Sequence, residues 1–173
     1  MNTVETRIAD LEDAKCIALL GRITFSETFG HLFRENQDLL DYLDRTFAVQ
    51  KIENSLKKPN NLFWLSSVNR LPVGYAKLKL NSPSEFNASP NQCQLQKIYV
   101  LRDFLSEGIG RKLQDQLLDK AQDLGFETIW LSVLNSNERA IRFYFKSGFE
   151  NIGSHGFQIG REKFKFTAMQ KKL

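Results

Sequence analysis

The sequence predicts an α/β fold in which a mixed, mostly antiparallel central sheet is flanked by helices. Strand and helix patterns alternate between residues 92 and 146, which indicates the α/β class. Two β-rich runs, residues 62–68 and 73–80, meet at a short turn, and the glycine-containing tail after residue 150 has the pattern of a closing hairpin. These hairpins make most of the predicted pairing antiparallel.

Length and composition predict one domain covering residues 1–173. Of the 173 residues, 42% are hydrophobic and 25% charged, as in a globular protein large enough to bury a core. The formal net charge of +4 comes from scattered Lys and Arg. Because no recognition motif accompanies it, this charge favours a solvated surface that an anionic cofactor uses in part. We expect no nucleic-acid partner.

Cysteine usage and the N-terminal residues bear on the compartment. Cys16 and Cys93 are too few for a disulfide scaffold and lie in no metal-ligand spacing. The first residues lack the apolar run of a signal peptide, and no apolar stretch approaches the ~18–20 residues that cross a bilayer. We therefore expect a cytoplasmic protein with no membrane partner and no metal.

Caps and periodicity predict the elements of the N-terminal part. Residues 4–8 have the pattern of a short strand. Asp10 is a candidate N-cap, with Asp13 at the capping-box distance, for a helix through Leu20. A mixed region then runs from residue 21 to 49, where apolar side chains recur at helical spacing: Leu39, Leu40, Leu43 and Phe47.

The remaining elements follow from the same signals. Residues 51–56 predict a helix that Pro59 stops, and residues 81–91 predict a polar loop. After this loop we expect a strand at 92–100, a helix at 109–124, a strand at 128–133, a helix at 137–146 and a hairpin ending near Met169.

The turn before helix 109–124 is the first candidate site. Gly108 and Gly110 alone form a weak motif, as compatible with a plain tight turn as with a phosphate site. Their position between a strand and an amphipathic helix favours the phosphate site. The backbone N–H groups of residues 106–111 would then point at a diphosphate from the positive end of a helix, and Arg111 would add a charge-assisted contact.

Tyr144 and Asn137 each allow two interpretations. Tyr144 is either a core aromatic between Phe143 and Phe145 or a proton donor to a departing thiolate. The second role is feasible because a phenol, with a pKa of about 10, is protonated at neutral pH. Asn137 caps its helix or hydrogen-bonds the amide-rich arm of a cofactor, and these roles use different atoms.

The sequence leaves the general base open. Glu107 lies in the turn, and Gln96, on the preceding strand, cannot act as a base. The 2 histidines, His31 and His155, have no carboxylate or metal partner visible in the sequence, which favours structural or substrate-lining roles. No nucleophile elbow or metal motif is present.

Two of these segments resemble the signature of the GNAT superfamily of N-acetyltransferases. Residues 105–110 match its pyrophosphate motif, Gln/Arg-x-x-Gly-x-Gly/Ala, except at Leu105, and residues 137–149 match its second half. The resemblance implies a GNAT-like (acyl-CoA N-acyltransferase) fold, acetyl-CoA as the acetyl donor and Tyr144 as general acid. Relatives often carry Glu at the position of Gln96.

Residues 24–29 and 153–160 look like segments of the PaiA-type polyamine N-acetyltransferases. This narrower resemblance implies direct acetyl transfer to a small-molecule amine, spermidine or spermine. The cofactor-binding residues that it implies are Ile98, Tyr99 and Val100 for the pantetheine arm, Ser106, Glu107, Gly108, Ile109, Gly110 and Arg111 for the pyrophosphate, and Asn137 and Lys146 for other parts of the cofactor.

A polyamine site should be acidic and framed by aromatics. Acidic side chains cluster between residues 27 and 44, although a solvated helix face explains them equally well: Glu27, Glu35, Asp38, Asp41 and Asp44. We expect the substrate-binding residues to be Glu27, Phe29, His31 and His155. Two rival functions stay open, a protein N-terminal or other small-amine acetyltransferase and a CoA-binding regulatory module without turnover. We expect a monomer or a homodimer.

Overall fold

A computed structural model describes residues 3–173 and has a mixed seven-stranded sheet with the strand order β1-β2-β3-β4-β5-β7-β6. The strands are β1 (Val4–Ile8), β2 (Asn61–Val68), β3 (Leu71–Lys79), β4 (Gln92–Val100), β5 (Thr128–Leu134), β6 (Glu150–Ile159) and β7 (Glu162–Lys172). The helices are α1 (Ala14–Phe29), α2 (Asn36–Thr46), α3 (Val49–Leu56), α4 (Ile109–Asp123) and α5 (Glu138–Lys146). Neighbouring strands pair antiparallel except β4 and β5, which are parallel. The predicted fold class is confirmed.

The helices pack on both faces of the sheet. On one face, α4 and α5 cover the largest core, into which α4 places Ile109, Leu113, Leu117 and Ala121. On the other face, α1 and α3 pack against β2 and β3, and the end of α1 meets α2 in an aromatic cluster around Phe25 and Phe47. No helix within residues 3–173 is long and apolar enough to cross a membrane.

Two segments differ from the sequence-based expectation. Helix α1 continues to Phe29 through a region that the sequence left mixed, because Thr24 and Phe25 are buried on the same helix face as Ile17. In the tail, Gly153 and Gly156 lie inside β6, and the chain turns at Gly160, which has a φ of 57°. After this turn, strand β7 runs to Lys172, beyond the expected end near Met169.

The β2–β3 hairpin has a tighter turn than the sequence suggested. Asn69 and Arg70 both have positive φ, 50° and 67°, as in the two-residue turns that match the twist of paired strands. Leu71 and Pro72 already belong to β3. The turn sets the antiparallel pairing of β2 with β3, and β3 in turn pairs with β4.

Arg7 and Asp13 connect β1 to the start of α1. The Arg7 guanidinium donates to the two carboxylate oxygens of Asp13 at 2.7 and 2.8 Å, and the Asp10 N–H donates to the same carboxylate at 2.9 Å. Asp10 and Asp13 thus form the predicted capping box. The hydrogen bonds from Arg7 hold the pKa of Asp13 below its usual value, although burial opposes them.

We expect Asp13→Asn to lower the free energy of unfolding at pH 7 by about 1–2 kcal/mol. The neutral Asn side chain has a single acceptor oxygen and cannot replace the carboxylate, whose two oxygens accept both hydrogen bonds from Arg7. The folded-state pKa of Asp13 is depressed. Its contribution is therefore fully present above the unfolded-state pKa of about 3.9 and is lost progressively as the pH falls from there through the lower folded-state pKa. Urea unfolding of both proteins at pH 7 and pH 3 measures this. A difference that is as large at pH 3 would contradict the assignment, and the exposed Asp44→Asn is the control.

Candidate active site

The parallel strands β4 and β5 separate shortly after they begin to pair. Only three residue pairs join them, from Gln92 with Thr128 to Gln94 with Trp130. Strand β4 then continues to Val100 alongside β3, whereas β5 continues to Leu134 alongside β7. Because the two strands follow different partners, a wedge opens between them at their carboxyl ends.

The edge of β4 that faces this wedge offers backbone groups to a ligand. The Leu101 N–H donates to the Val73 carbonyl at 2.8 Å, which places the Leu101 amide on the β3 side. Bonding directions alternate along an antiparallel strand, so the amides of Ile98 and Val100 point away from β3, toward the wedge. Within residues 3–173, β5 does not pair with this part of β4.

The wedge is part of a cavity of about 640 Å³ that reaches both faces of the sheet. On one side it is lined by the turn before α4 and by α5. On the other it is lined by α1, α2 and the β6–β7 hairpin. Its floor is formed by residues 95–100 of β4 and residues 132–134 of β5. Such a passage admits two ligands from opposite sides.

The turn before α4 presents unpaired amides to the cavity. Gly108 precedes the helix with a φ of 74°, a conformation that glycine adopts without strain. Lys112 is the first residue of α4 whose N–H donates to a carbonyl four residues earlier, that of Gly108 at 3.1 Å. The amides of residues 109–111 therefore stay free of intrahelical acceptors at the positive end of α4, as an anion site requires.

Tyr144 lies on α5 and lines the cavity while being 7% exposed. Its ring is held edge-on by Phe143 and Phe149, with centroids at 5.4 and 5.6 Å. Its hydroxyl makes no hydrogen bond to any residue that the structure describes. Burial raises the pKa of Tyr144, so the phenol stays protonated across the physiological range.

Asn137 and Arg139 complete the α5 side of the cavity. The Asn137 carboxamide oxygen accepts from the Ala140 N–H at 3.2 Å, so the residue does cap α5, and its Nδ2 stays available. Arg139 donates to the Leu105 carbonyl at 3.0 Å and thereby ties α5 to the turn before α4. This contact could not be predicted from the sequence, because nothing in the pattern of residues around Arg139 links it to a turn 34 residues earlier.

Gln96 sits where the register of β3 and β4 shifts, between the pairs Lys77–Lys97 and Leu78–Leu95. It lines the cavity, and its Oε1 is buried without a hydrogen-bond partner among the described residues. A buried carbonyl oxygen without a partner costs about 1–3 kcal/mol. A ligand that donates to it would remove this cost.

Ser132 and His155 form a polar pair at the wall of the cavity. The Ser132 hydroxyl, which lines the cavity, and His155 Nε2 are 2.8 Å apart. The imidazole is stacked on Phe166 at a centroid distance of 5.5 Å and an interplanar angle of 13°. The stacked ring is thereby held in one orientation behind Ser132, a pairing that the sequence did not reveal because the two residues lie on different strands.

The structure brings together most of the predicted site residues. Those that line the cavity are Phe29, Ile98, Tyr99, Val100, Ser106, Gly108, Gly110, Arg111, Asn137 and Tyr144. Those that do not line it are Glu27, His31, Glu107, Ile109, Lys146 and His155. Of these, His31, Glu107 and Lys146 are exposed, and the Ile109 side chain is fully buried beneath α4.

The acidic residues of the early helices point elsewhere. The Glu27 carboxylate accepts from the Arg102 N–H at 3.0 Å. Asp38 accepts from the Arg161 N–H at 2.9 Å, and Asp44 pairs with Arg22 at 2.7 Å. No Asp or Glu that the structure describes lines the cavity. Within residues 3–173, no group of three His, Cys, Asp or Glu side chains is placed to hold a metal ion.

Comparisons with known proteins agree on one family. Residues 25–149 match the model of the acetyltransferase (GNAT) family. An uncharacterized N-acetyltransferase of Lactobacillus delbrueckii subsp. lactis is 26% identical over 156 residues, which cover 89% of this chain and 88% of that protein. The PaiA N-acetyltransferase from Thermoplasma acidophilum, solved in complex with coenzyme A, superposes with a TM-score of 0.79 at 18% identity over 99% of both chains. The ribosomal-protein-S18-alanine N-acetyltransferase from Escherichia coli superposes at 0.70 and 18% identity over 99% of this chain and 94% of that one.

Proposed function

Because the chain belongs to the acetyltransferase (GNAT) family, we propose that it transfers the acetyl group of acetyl-CoA directly to a primary amine, with Tyr144 as proton donor. The observation that carries the proposal is that one cavity is lined by the free edge of β4, the turn before α4 and Tyr144. The edge of β4 would bind an extended amide chain, the turn before α4 would bind a pyrophosphate, and Tyr144 would supply a proton.

The residues present fit acetyl-CoA, which supplies the acetyl thioester when bound. The backbone amides of the turn before α4, together with Arg111, would hold the pyrophosphate. The edge of β4 at Ile98 and Val100 would pair with the pantetheine arm, in the manner of an added strand. The unpartnered Oε1 of Gln96 and the free Nδ2 of Asn137 are further groups that a ligand in this cavity would satisfy.

Tyr144 would protonate the departing thiolate. Because its hydroxyl makes no hydrogen bond to a described residue, its proton is free to be donated into the cavity. The raised pKa keeps that proton on the oxygen at neutral pH. The amide of Val100 is a donor for negative charge that develops on the thioester oxygen, a contact whose loss in other enzymes costs about 3 kcal/mol.

An ammonium acceptor must also lose a proton, and His155 is the residue we propose to receive it. The proton would pass through the Ser132 hydroxyl, which lies between the cavity and His155 Nε2. The hydroxyl gives its own proton to the ring nitrogen and takes one from the amine, directly or through water. Gln96 cannot play this part because an amide does not take up a proton at neutral pH.

We expect Ser132→Ala and His155→Gln each to lower kcat by about 10–100-fold, since a relayed base contributes at the low end of general-base effects. If the two residues act as one unit, the double variant loses no more activity than either single variant. Steady-state rates of the four proteins measure this. Losses that multiply in the double variant would contradict a shared relay. The control is Ser154→Ala, at the exposed residue next to His155 on β6.

Two classes of amine acceptor, polyamines and peptide N-termini, are to be compared for this site. A polyamine is the class that the resemblance to PaiA-type enzymes implies, and the aromatic side chains at the acceptor end, among them Phe29 and Tyr42, offer cation–π contacts to it. The predicted acidic residues do not line the cavity, however, so the charge complementarity expected for a polycation is missing. A peptide N-terminus, which carries one ammonium group, needs no acidic wall.

Free-thiol release from acetyl-CoA tests the proposed function. The purified protein is given spermidine, spermine, a peptide with a free N-terminus or no acceptor, and the acetylated product is identified by mass spectrometry. Amine-dependent thiol release with acetyl on the amine nitrogen supports the proposal, and the preferred amine identifies the class. Tight binding of CoA without release for any amine would favour a regulatory module instead.

A further inference from the structure

Two lysines face each other at the acceptor end of the site. Lys77 on β3 and Lys97 on β4 are directly paired in the antiparallel register, so their side chains lie on the same face of the sheet. Both are partly buried. Like charges in this arrangement are unfavourable, and burial increases the cost.

Neither lysine has an acidic partner among the residues described. Their ammonium groups lie over aromatic rings instead: Lys97 Nζ is 5.1 Å from the centroid of Phe47 and 5.5 Å from that of Tyr99, and Lys77 Nζ is 5.3 Å from that of Phe63. Ring faces stabilise a cation only in part. Burial lowers the pKa of Lys97 to about 8, and the positive charge of Lys51 contributes to a smaller extent.

Lys97 lines the cavity, whereas Lys77 does not. Around Lys97 the wall is formed by Phe25 and Tyr42, which belong to the face covered by α1 and α2. The turn before α4 lies on the opposite face of the sheet. The ammonium of Lys97 is therefore on the acceptor side and away from the proposed pyrophosphate site.

We propose that the acceptor is an amine whose molecule also carries a carboxylate, and that Lys97 pairs with this carboxylate while the amine points toward Ser132 and the thioester. The inference rests on the proposed function and narrows its substrate class to amino acids or peptides. The carboxylate supplies the counter-charge that Lys97 lacks. A polyamine would instead bring further positive charge to the lysine pair.

Matched acceptors test this directly. The rates of acetylation of β-alanine and γ-aminobutyrate are compared with those of their amides and of spermidine, in the wild-type protein and in Lys97→Met. A charge-assisted contact predicts that the carboxylates exceed their amides by about tenfold or more in kcat/KM. Lys97→Met should remove this advantage, so that each carboxylate and its amide are acetylated with kcat/KM values within about twofold of each other.

Two further variants separate a binding role from a structural one. Lys97→Arg keeps the charge and should retain most of the carboxylate preference, and Lys77→Met, outside the cavity, should leave the preference in place. Equal loss with carboxylates and amides in Lys97→Met would overturn the inference, as would wild-type preference for spermidine or for the amides.

Calorimetry separates this inference from the proposed function. Binding of N-acetyl-γ-aminobutyrate and of its amide to the CoA-saturated protein is measured at pH 8 in two buffers of different ionisation enthalpy. We expect tighter binding of the carboxylate with proton uptake, because a paired anion favours the charged form of Lys97. Absence of thiol release with every amine would overturn the proposed function alone, whereas equal binding of the two ligands would overturn the carboxylate site.

Discussion

Tyr144→Phe is expected to lower kcat by about 10²–10³-fold, the range of general acid catalysis. The variant keeps the ring, which packs against Phe143 and Phe149, and loses only a hydroxyl that has no hydrogen-bond partner in the described chain. The melting temperature and the KM for acetyl-CoA should therefore change little. Steady-state kinetics of thiol release together with thermal unfolding measure both parts of this expectation.

The control for Tyr144→Phe is Tyr42→Phe, which removes another hydroxyl from the same cavity. Tyr42 lies on α2, on the acceptor side. Tyr42→Phe should leave kcat within about threefold of the wild-type value, because Tyr42 transfers no proton in the proposed reaction. A Tyr144→Phe enzyme with unchanged kcat would contradict the proton-donor role. Equal losses in the two variants would point to packing of the cavity rather than to acid catalysis.

Gly110→Asp is expected to weaken CoA binding by about 100-fold. Gly110 lies in the first turn of α4 and lines the cavity, at the free amides of the proposed pyrophosphate site. A carboxylate there repels the diphosphate and competes for the same amides. It also favours the helix, by about 0.3–1 kcal/mol, through the helix dipole. Weaker binding without lower stability is the distinctive result, measured by calorimetry and thermal unfolding.

Gly110→Ala is the matched control for the aspartate variant. A Cβ at this position would have Val100 Cγ2 as its nearest contact at 4.0 Å, so alanine fits without displacing a neighbour. Alanine should raise the stability of α4 by up to about 1 kcal/mol and leave CoA affinity nearly unchanged. If the alanine variant lost affinity as strongly as the aspartate variant, the space at the turn and not its charge would control binding.

Local signals in the sequence predict most of the fold and the segments that line one side of the cavity. Strand β4 and the cap at Asn137 follow from short-range patterns that do not depend on the rest of the chain. The Gly108 turn is similarly local, since its left-handed backbone conformation favours glycine. The part of the cavity on the side of α4 and α5 is built largely from such segments, so their positions along the chain could be predicted without knowledge of long-range contacts.

The acceptor half depends on contacts between distant segments. Ser132 meets His155 only because β5 and β6 are both paired with β7, and Lys97 meets Phe47 only because the end of α2 folds over β4. The resemblance to PaiA-type enzymes implied a polycation site, and the acidic cluster was compatible with one. In the structure, Glu27 and Asp38 instead accept hydrogen bonds from the backbone N–H groups of Arg102 and Arg161. No pattern within one segment distinguishes such a contact from a ligand site.

Direct transfer is the central claim, and a single-turnover experiment tests it. The protein is mixed with a substoichiometric amount of acetyl-CoA, first without and then with the preferred amine, and free thiol and acetylated amine are followed together. The proposal predicts no rapid thiol release without the amine, and equal amounts of the two products with it. A burst of thiol without amine, accompanied by an acetyl group on the protein at Ser132 or elsewhere, would contradict it.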